Sequence, residues 1–305
     1  MLEDYLRRHP QRVSGYTFAS LAAWSQPYGI MWARVDRDCL LLSRTLPEPE
    51  GERHLLQPIG IPSGSCCAGL LAEAARLPYR LRMLYVTPDY MQRNPAFCAH
   101  FTAEEDRGGA NYIYLARALA ELTGGAFARK RNLLAQFLTQ HPDWETAPLD
   151  TRCGPVCRDV LLAVAHAAGT APEDPHLQAE LQAVAFSIAH LDVLKQRGVM
   201  IRVQGRPVAF AIAERQNNDT AVVHFEKALR AHKGLYQMIN RETARMLVDE
   251  GFHLINREED LHRPGLRQAK LSYFPLDIYP VFNIHFDAAL PDAIAQANAP
   301  TSSHE

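Results

Sequence analysis

The side chains that could do chemistry are concentrated in residues 226–273. The first part of this stretch follows a predicted strand over residues 221–225 and opens a predicted helix, and it contains Lys227, Arg230, Lys233, Gly234 and Tyr236. A helix start combines unpaired backbone N–H groups with the positive end of the helix dipole, so cations placed there suit a phosphate or another anion. The alternative is a solvated basic helix cap, because one glycine is less specific than a glycine-rich fingerprint.

A second part, residues 256–260 (NREED), places three consecutive acids after Arg257 and behind a predicted short strand over residues 254–255. Consecutive acids repel one another unless they are paired or exposed, and exposed ion pairs contribute only about 0–1 kcal/mol. The run therefore either stays solvated or belongs to a site, and both interpretations remain open.

The third part, residues 265–273 (GLRQAKLSY), is predicted to form a loop and a strand over residues 270–274. Alternate residues of a strand project to the same side. Arg267 could hold a carboxylate or phosphate through two parallel hydrogen bonds, whereas Lys270 offers a point charge. Alternatively, these cations pair with the acids of residues 258–260 and lock the structure.

Other kinds of site have little support in the sequence. The pair Cys153-x3-Cys157 has no matching second pair and the histidines are scattered, so we predict no metal site. His224 falls inside a predicted strand, a position more typical of a packed histidine than of a catalyst. The sequence shows no nucleophile elbow, Walker loop or dinucleotide fingerprint.

The composition is that of a globular protein, with 305 residues, 47% of them apolar, and a net charge of −2. Such a charge argues against general coating of nucleic acid but allows a local basic channel. No segment resembles a membrane span or an export signal, and the six cysteines form no regular framework. We therefore expect a cytoplasmic protein with free thiols.

The pattern of apolar residues predicts the elements that must position these side chains. Predicted helices cover residues 66–76, 115–122, 127–138, 156–168, 177–196 and 235–247. Predicted strands cover residues 28–35, 39–42, 55–59, 79–86, 111–114, 199–203, 208–213, 221–225, 254–255, 270–274 and 281–286. A polar, proline-bearing stretch at residues 142–151 predicts a boundary between two halves.

Several of these motifs resemble those of the phosphatidylglycerol lysyltransferase C-terminal-domain family. The resemblance extends to about residue 286 and is carried by Phe18-x-x-Leu21-x-x-Trp24, Lys130-Arg131-Asn132 with Phe137, Phe225-Glu226-Lys227-Ala228, Lys233-Gly234-x-Tyr236, Ile239-Asn240, residues 256–260 and residues 265–273. It implies an α+β fold of two tandem GNAT-like lobes, each a mostly antiparallel mixed sheet flanked by helices. We expect these lobes at residues 1–145 and 146–290, the second carrying the site, with a disordered tail over residues 291–305.

The resemblance also implies a transferase that moves an aminoacyl group from aminoacyl-tRNA, as co-substrate, to an amine or hydroxyl. No permanently bound cofactor is expected. Membrane-bound relatives carry a large transmembrane portion ahead of this domain and this chain lacks one, so a soluble small molecule or a peptide is as plausible an acceptor as a lipid. A peripheral position at the membrane is the alternative to a purely cytoplasmic one.

Aminoacyl transfer passes through a tetrahedral oxyanion and needs a base for the attacking group. Lys270, Arg267 or Lys233 could stabilise the oxyanion, and Glu226 or Glu258 could be the base. The expected donor-phosphate residues are Lys130, Arg131, Lys227, Arg230, Lys233, Gly234 and Tyr236. The expected substrate-binding residues are Asn240, Asn256, Arg257, Asp260, Ser272 and Tyr273.

Two alternatives remain at this point. An acyl-CoA-dependent N-acyltransferase would use the loop at residues 230–234, but Tyr236 occupies the position of the second glycine that such a loop usually carries. A non-catalytic binding module would use the polar cluster as a structural network between the lobes.

Overall fold

A computed structural model describes residues 2–37, 39–46, 51–60 and 62–290. The chain forms two compact units: residues up to 27 with residues 110–279, and residues 28–109 with the chain from residue 280 onward. This division differs from the expected boundary near residue 145, because a strand at residues 111–115 pairs with one at residues 254–256 and so joins the later half. The expected tail, residues 291–305, lies outside the described residues.

The helices were mostly anticipated by the apolar pattern. They are α1 (Leu2–Arg8), α2 (Phe18–Ala23), α3 (Gly64–Ala74), α4 (Pro88–Arg93), α5 (Pro95–Cys98), α6 (Ala116–Glu121), α7 (Ala128–Gln140), α8 (Gly154–Ala167), α9 (Pro175–Ala189), α10 (Leu235–Asp249) and α11 (Pro264–Leu271). None of these described helices has the length and apolar character needed to cross a membrane.

The strands divide between two sheets. They are β1 (Met31–Asp36), β2 (Cys39–Thr45), β3 (Arg53–Leu56), β4 (Ile59–Gly60), β5 (Arg82–Val86), β6 (Phe101–Glu105), β7 (Asn111–Leu115), β8 (Glu145–Pro148), β9 (Arg197–Val203), β10 (Arg206–Arg215), β11 (Thr220–Ala228), β12 (Leu254–Asn256), β13 (Asp277–Tyr279) and β14 (Phe282–Phe286). The sheet of the second unit has the order β1-β2-β3-β5-β14-β6, with β4 paired to β2.

The sheet of the first unit has the order β13-β7-β12-β11-β10-β9-β8. Among these described strands, β11 and β12 run parallel and the remaining neighbours pair antiparallel. The turn between β9 and β10 has positive φ at both Gln204 and Gly205, as a tight hairpin requires, and it joins two of the predicted strands. Two mixed sheets flanked by helices also confirm the α+β class expected of a GNAT-like fold.

Both faces of the first unit's sheet are covered by helices. One face packs against α6, α7 and α10, and it receives Ala209, Ala211 and Ala213 of β10. The opposite face packs against α8 and α9, and it receives Phe210 and Ile212. The alternation follows from the period of two in a strand, and it makes β10 a central strand that is apolar on both sides.

The strand predicted over residues 270–274 is wrong, since residues 264–271 form α11. Pro264 occupies the first turn, where proline is well tolerated. Arg267 and Lys270 lie three residues apart on α11, which places them on one side of the helix, and Tyr273 follows just beyond its end. Lys270 and Tyr273 are buried, while the apolar Leu271 between them is exposed. The part of the site that Lys270 and Tyr273 form is therefore built on α11 and the residues that follow it, and not on a strand.

Candidate active site

The site lies where the parallel strands β11 and β12 stop pairing. Their register runs from Thr220 opposite Leu254 to Val222 opposite Asn256, and β11 then continues alone on that edge to Ala228. We call this place the open end of the β11–β12 pair. Side chains from the last part of β11 meet the residues that follow β12, so side-chain contacts take over there from the strand ladder.

A one-residue irregularity in β11 decides which side chains face the open end. Ile212 pairs with Phe225 and Ala213 pairs with Val223, so His224 is an extra residue without a partner on β10. Such a bulge shifts the alternation of the strand by one. Val223 before it and Ala228 after it both lie in the core cluster beneath α10, although their numbers differ in parity.

Glu226 consequently faces α10 and the open end. Its Oε1 accepts a hydrogen bond from Arg257 Nη2 at 2.8 Å, and its Oε2 accepts one from Asn240 Nδ2 of α10 at 3.2 Å. The guanidinium of Arg257 stacks 5.0 Å from the ring centre of Tyr273. Burial lowers the pKa of Arg257, but the Glu226 carboxylate together with Tyr114 and Tyr273 outweighs burial and raises it. The two charges form a nearly enclosed ion pair.

Two lysines approach the same ion pair. Lys270 is buried and donates from Nζ to the backbone carbonyl oxygen of Arg257. Lys130 of α7 donates from Nζ to Ser272 Oγ at 2.6 Å, and its ammonium lies 4.0 Å from the ring centre of Tyr273. Burial, with the nearby charge of Arg257, lowers the pKa of each lysine to about 8. Near that pH each amine could donate a hydrogen bond to an oxyanion or accept a proton.

The acids of residues 258–260 are paired rather than solvated. Glu258 bonds His224, and Glu259 accepts hydrogen bonds from Ser14 Oγ at 3.2 Å and Asn111 Nδ2 at 3.3 Å. Burial, with the neighbouring charge of Glu258, raises the pKa of Glu259 to about 7. Each carboxyl group thus has its own partner, while repulsion between Glu258 and Glu259 persists in the raised pKa of Glu259.

Asp260 is fully buried and holds Arg267 in place. Arg267 donates to its two carboxylate oxygens from Nε at 2.7 Å and from Nη2 at 3.0 Å, and Tyr112 Oη donates at 2.7 Å. Because its fork of donors is engaged in this pair, we assign Arg267 to positioning α11 rather than to the oxyanion. The sequence left two alternatives for Arg267, and its contact with Asp260 corresponds to the one in which a cation pairs with an acid of residues 258–260.

The remaining substrate-binding candidates are Asn256, which supports the backbone of the site, and Tyr273 and Ser272, which contact Arg257 and Lys130. Asn256 is buried, donates to Asn111 Oδ1 at 2.8 Å and accepts from the N–H of Glu258 at 2.8 Å, so it shapes the backbone after β12. Tyr273 is also buried, and burial raises its pKa to about 12. Ser272 donates to the carbonyl of Ala269 while it accepts from Lys130.

Most of the expected donor-phosphate residues have other partners in the described structure. Lys227 faces the opposite side of the sheet and pairs with Glu180 of α9 at 2.7 Å. Arg131 donates to the carbonyls of Leu122 and Gly124, both at 2.6 Å, and closes the end of α6. Tyr236 is half-buried against the core cluster beneath α10.

Gly234 is required by packing. Its φ is +87°, and an added Cβ would lie 2.1 Å from the carbonyl oxygen of Leu133 in α7. Arg230 and Lys233, in contrast, are exposed, and within the described part of the chain they have no ion pair. Two cations at the start of α10 therefore remain available to an anion, together with the backbone N–H groups of that helix.

The sequence interpretation missed the support on β7 and β10. Asn111, Tyr112 and Tyr114 hold residues 256–270 in place, and Glu214 bonds His224. A usable signal was the glutamate that ends the apolar run of β10 near a strand histidine. In the part of the chain that the structure describes, no three His, Cys, Asp or Glu residues are placed to hold a metal ion.

Comparisons with known proteins agree with this architecture. A conserved protein of unknown function from Bacteroides thetaiotaomicron is 29% identical, with a TM-score of 0.81 over 93% of this chain and 96% of that one. L-PGS from Bacillus licheniformis is 13% identical, with a TM-score of 0.65 over 97% and 94% of the two chains. FemX is 9% identical, with a TM-score of 0.66 over 96% and 97%.

No curated protein matches the sequence. The family described as "Phosphatidylglycerol lysyltransferase, C-terminal" matches residues 6–285, which is nearly the whole chain. Members of this family are transferases, so the enzyme class expected from the motifs is confirmed. The chain belongs to the phosphatidylglycerol lysyltransferase C-terminal family, and the open end of the β11–β12 pair is its candidate active site.

Proposed function

We propose that the protein transfers an aminoacyl group from aminoacyl-tRNA to an amine or hydroxyl acceptor. The observation that carries this proposal is the group formed by buried Lys270 and half-buried Arg257 and Lys130 near Glu226, at the open end of the β11–β12 pair. The tetrahedral oxyanion of acyl transfer needs positive donors in a site shielded from water, which these side chains offer. No bound cofactor takes part in the proposed reaction.

The proposed reaction begins when the acceptor nitrogen or oxygen attacks the ester carbonyl of the donor. Lys270 stabilises the oxyanion, and Lys130 is the proposed base because its lowered pKa leaves part of the amine neutral near pH 8. Glu226 keeps the Arg257 guanidinium in position beside the carbonyl. Collapse of the intermediate then releases the 3′ hydroxyl of the tRNA, which takes up a proton.

We further propose that Arg230 and Lys233 contact the phosphates of the tRNA. They lie exposed at the start of α10, on the loop that an acyl-CoA enzyme would use for the pyrophosphate. Leu133 already fills the space beside Gly234, and Tyr236 stands where a second glycine would be needed. This crowding favours aminoacyl-tRNA over acyl-CoA as the donor.

The surface beside α11 supports a lipid as the proposed acceptor. Leu271, Phe274 and Leu276 are exposed next to the residues that bring Lys270 into the site. An apolar surface at the site suits a lipid more than a soluble amine or a peptide. We therefore propose a reaction on the cytoplasmic side, at the membrane surface when phosphatidylglycerol is the acceptor.

The deciding experiment incubates the purified protein with a pool of radiolabelled aminoacyl-tRNAs and vesicles containing phosphatidylglycerol, or with soluble amines instead. Transfer of label to lipid supports the whole proposal, and transfer to a soluble amine supports the donor alone. Release of no label from any charged tRNA contradicts it. Acetyl-CoA should not raise the melting temperature, whereas an increase of several degrees would favour an acyl-CoA donor.

Binding of tRNA provides a second measurement. The double variant Arg230→Gln/Lys233→Gln should bind tRNA more weakly, and the slope of its affinity against salt should fall by about one for each phosphate that the variant no longer binds. Arg215→Gln/Lys195→Gln is the matched control, since both side chains are exposed and lie at the opposite end of β10 from its pairing with Ala228. Equal salt dependence in the two double variants would exclude the proposed phosphate binding.

A further inference from the structure

The bulge in β11 is held from two sides by charged groups. His224 is the residue without a partner on β10, and its side chain is 2% exposed. Its Nε2 lies 2.6 Å from Glu214 Oε1 on β10, and its Nδ1 lies 2.7 Å from Glu258 Oε1 beyond β12. With an acceptor at each nitrogen, the ring fits best as an imidazolium that donates in both directions.

The position of this residue gives it influence over the site. If His224 did not bulge, the alternation of β11 would turn Glu226 toward α8 and α9 and Lys227 toward α10. In the structure Glu226 meets Asn240 of α10, and Lys227 meets Glu180 of α9. The bulge therefore selects the carboxylate, rather than the neighbouring ammonium, as the group that faces Arg257.

The contact with Glu258 does a second task. On one side, Arg257 and Glu258 keep backbone hydrogen bonds with Tyr112 of β7. On the other side, β11 and β12 no longer pair beyond Val222, so side chains must hold this backbone to β11. Two bridges do so, His224 to Glu258 and Glu226 to Arg257. Glu258 has a left-handed backbone with φ of +58°, a strained conformation for a residue other than glycine, and it needs such restraint.

We propose that His224 is a positioning residue, whose charged ring, clamped by Glu214 and Glu258, fixes the bulge that turns Glu226 toward Arg257. The effect on catalysis rests on the proposed aminoacyl transfer, whereas the clamp itself does not. Burial lowers the pKa of His224, but the carboxylates of Glu258 and Glu214 outweigh burial and raise it to about 10. The ring would therefore stay charged at neutral pH.

Three measurements test the clamp without requiring activity. Nitrogen NMR of 15N-histidine-labelled protein should show both nitrogens of His224 protonated at pH 8. In Glu214→Gln, which loses one of the two carboxylates, His224 should titrate at a lower pH. In His224→Gln, amide exchange of residues 257–260 should accelerate at least tenfold, while the β9–β10 hairpin keeps its rate. Acceleration of the hairpin as well would mean general destabilisation and would overturn the proposal.

The catalytic consequence is read separately. His224→Gln should lower kcat for aminoacyl transfer at least tenfold and leave KM for aminoacyl-tRNA within twofold. His253→Gln is the matched control, because His253 also contacts a carboxylate, Asp219, but is exposed. In Glu214→Gln, transfer should decline with rising pH around the same midpoint at which NMR shows His224 losing its proton. A neutral ring in the wild type at pH 7, or a pH profile of Glu214→Gln identical to that of the wild type, would overturn the proposal.

These readouts also separate the two hypotheses. A wild type that transfers no label from any aminoacyl-tRNA would refute the proposed function, while NMR and amide exchange would still decide whether His224 clamps the bulge. If His224→Gln does not fold, Glu214→Gln tests the same clamp with a milder change.

Discussion

Arg257 Nη2 lies 2.8 Å from Glu226 Oε1, and the two side chains are only 13% and 12% exposed. A charge pair so enclosed cannot lose one member without leaving the other buried and unpaired, which is more costly than replacing both. The pair joins a strand to the segment after its parallel neighbour. Its integrity is therefore required both for stability and for the shape of the candidate active site.

Glu226→Gln should lower the free energy of unfolding by about 3–5 kcal/mol, because a buried guanidinium loses its counter-charge. Transfer should fall at least a hundredfold at a temperature where the variant remains folded. Glu242→Gln is the control, since Glu242 pairs with Arg241 on α10 at a similar exposure of 14%. Urea denaturation and transfer kinetics distinguish them: both variants lose stability, and only Glu226→Gln loses transfer. Full transfer activity in Glu226→Gln would show that this carboxylate is not required for the reaction.

Lys130 makes stability depend on pH in a predictable direction. Its pKa is about 8 in the folded protein and 10.5 for an ordinary lysine, so the unfolded chain binds more protons between these values. Lys130 should therefore add a contribution to the free energy of unfolding that rises with pH from 8 to about 10, opposite in sign to that of His224, whose raised pKa makes the folded protein bind the extra proton. The slope of the free energy of unfolding against pH should therefore be less positive in Lys130→Met than in the wild type. Lys195→Met, at an exposed lysine, should keep the wild-type slope in urea denaturation at pH 8 and 9.5.

Gly234→Ala should destabilise the protein by about 2 kcal/mol or more, because alanine strains a backbone with φ of +87° and its Cβ would collide with the Leu133 carbonyl. Gly265→Ala in α11 is the control. Nothing lies within 4 Å of a Cβ added there, and alanine favours a helix over glycine by roughly 0.5–1 kcal/mol. Thermal denaturation should therefore separate the two variants in opposite directions.

Arg267→Gln tests the assignment of Arg267 to positioning. The fully buried Asp260 would keep Tyr112 but lose both bonds from the guanidinium, at a cost of about 1–3 kcal/mol. Arg263→Gln, at an exposed position beside the same helix, should cost little. If transfer in Arg267→Gln falls in proportion to the folded fraction, the residue positions α11. A larger fall with unchanged stability would instead place the guanidinium on the substrate.

The sequence predicted the elements with strong apolar patterns and missed those without one. β6, β8 and β13 were not predicted, and each lies at an edge of its sheet. The side chains of β6 and β8 are mostly exposed, so the alternation that identifies a half-buried strand is missing there, and β13 is only three residues long. Only backbone pairing to a neighbour makes them strands, and that neighbour is distant in sequence. The two units also differ from the expected boundary near residue 145, because β7 pairs with β12, a strand distant in sequence.

The candidate site was predicted by residue type better than by role. Its charged side chains were identified as a group, but their partners depend on contacts that no spacing encodes. The bulge at His224 is the clearest case, since one residue without a partner reverses the direction of every later side chain in β11. Arg267 is a second case, because the sequence offers three adjacent acids and does not show that Asp260 is the one that accepts its hydrogen bonds.

The position of β14 has a consequence for how the protein is made. β14 lies between β5 and β6 in the sheet of the second unit, although it follows all the other described strands in the sequence. Until β14 is made, no strand connects β5 to β6. Met83 and Phe101, which later pack with Ile284, stay uncovered on the nascent chain. The sheet of the first unit likewise stays incomplete until β12 and β13 have been made. Both units therefore need strands that come late in the sequence, and a chain cut short before β14 would leave aggregation-prone strand edges exposed.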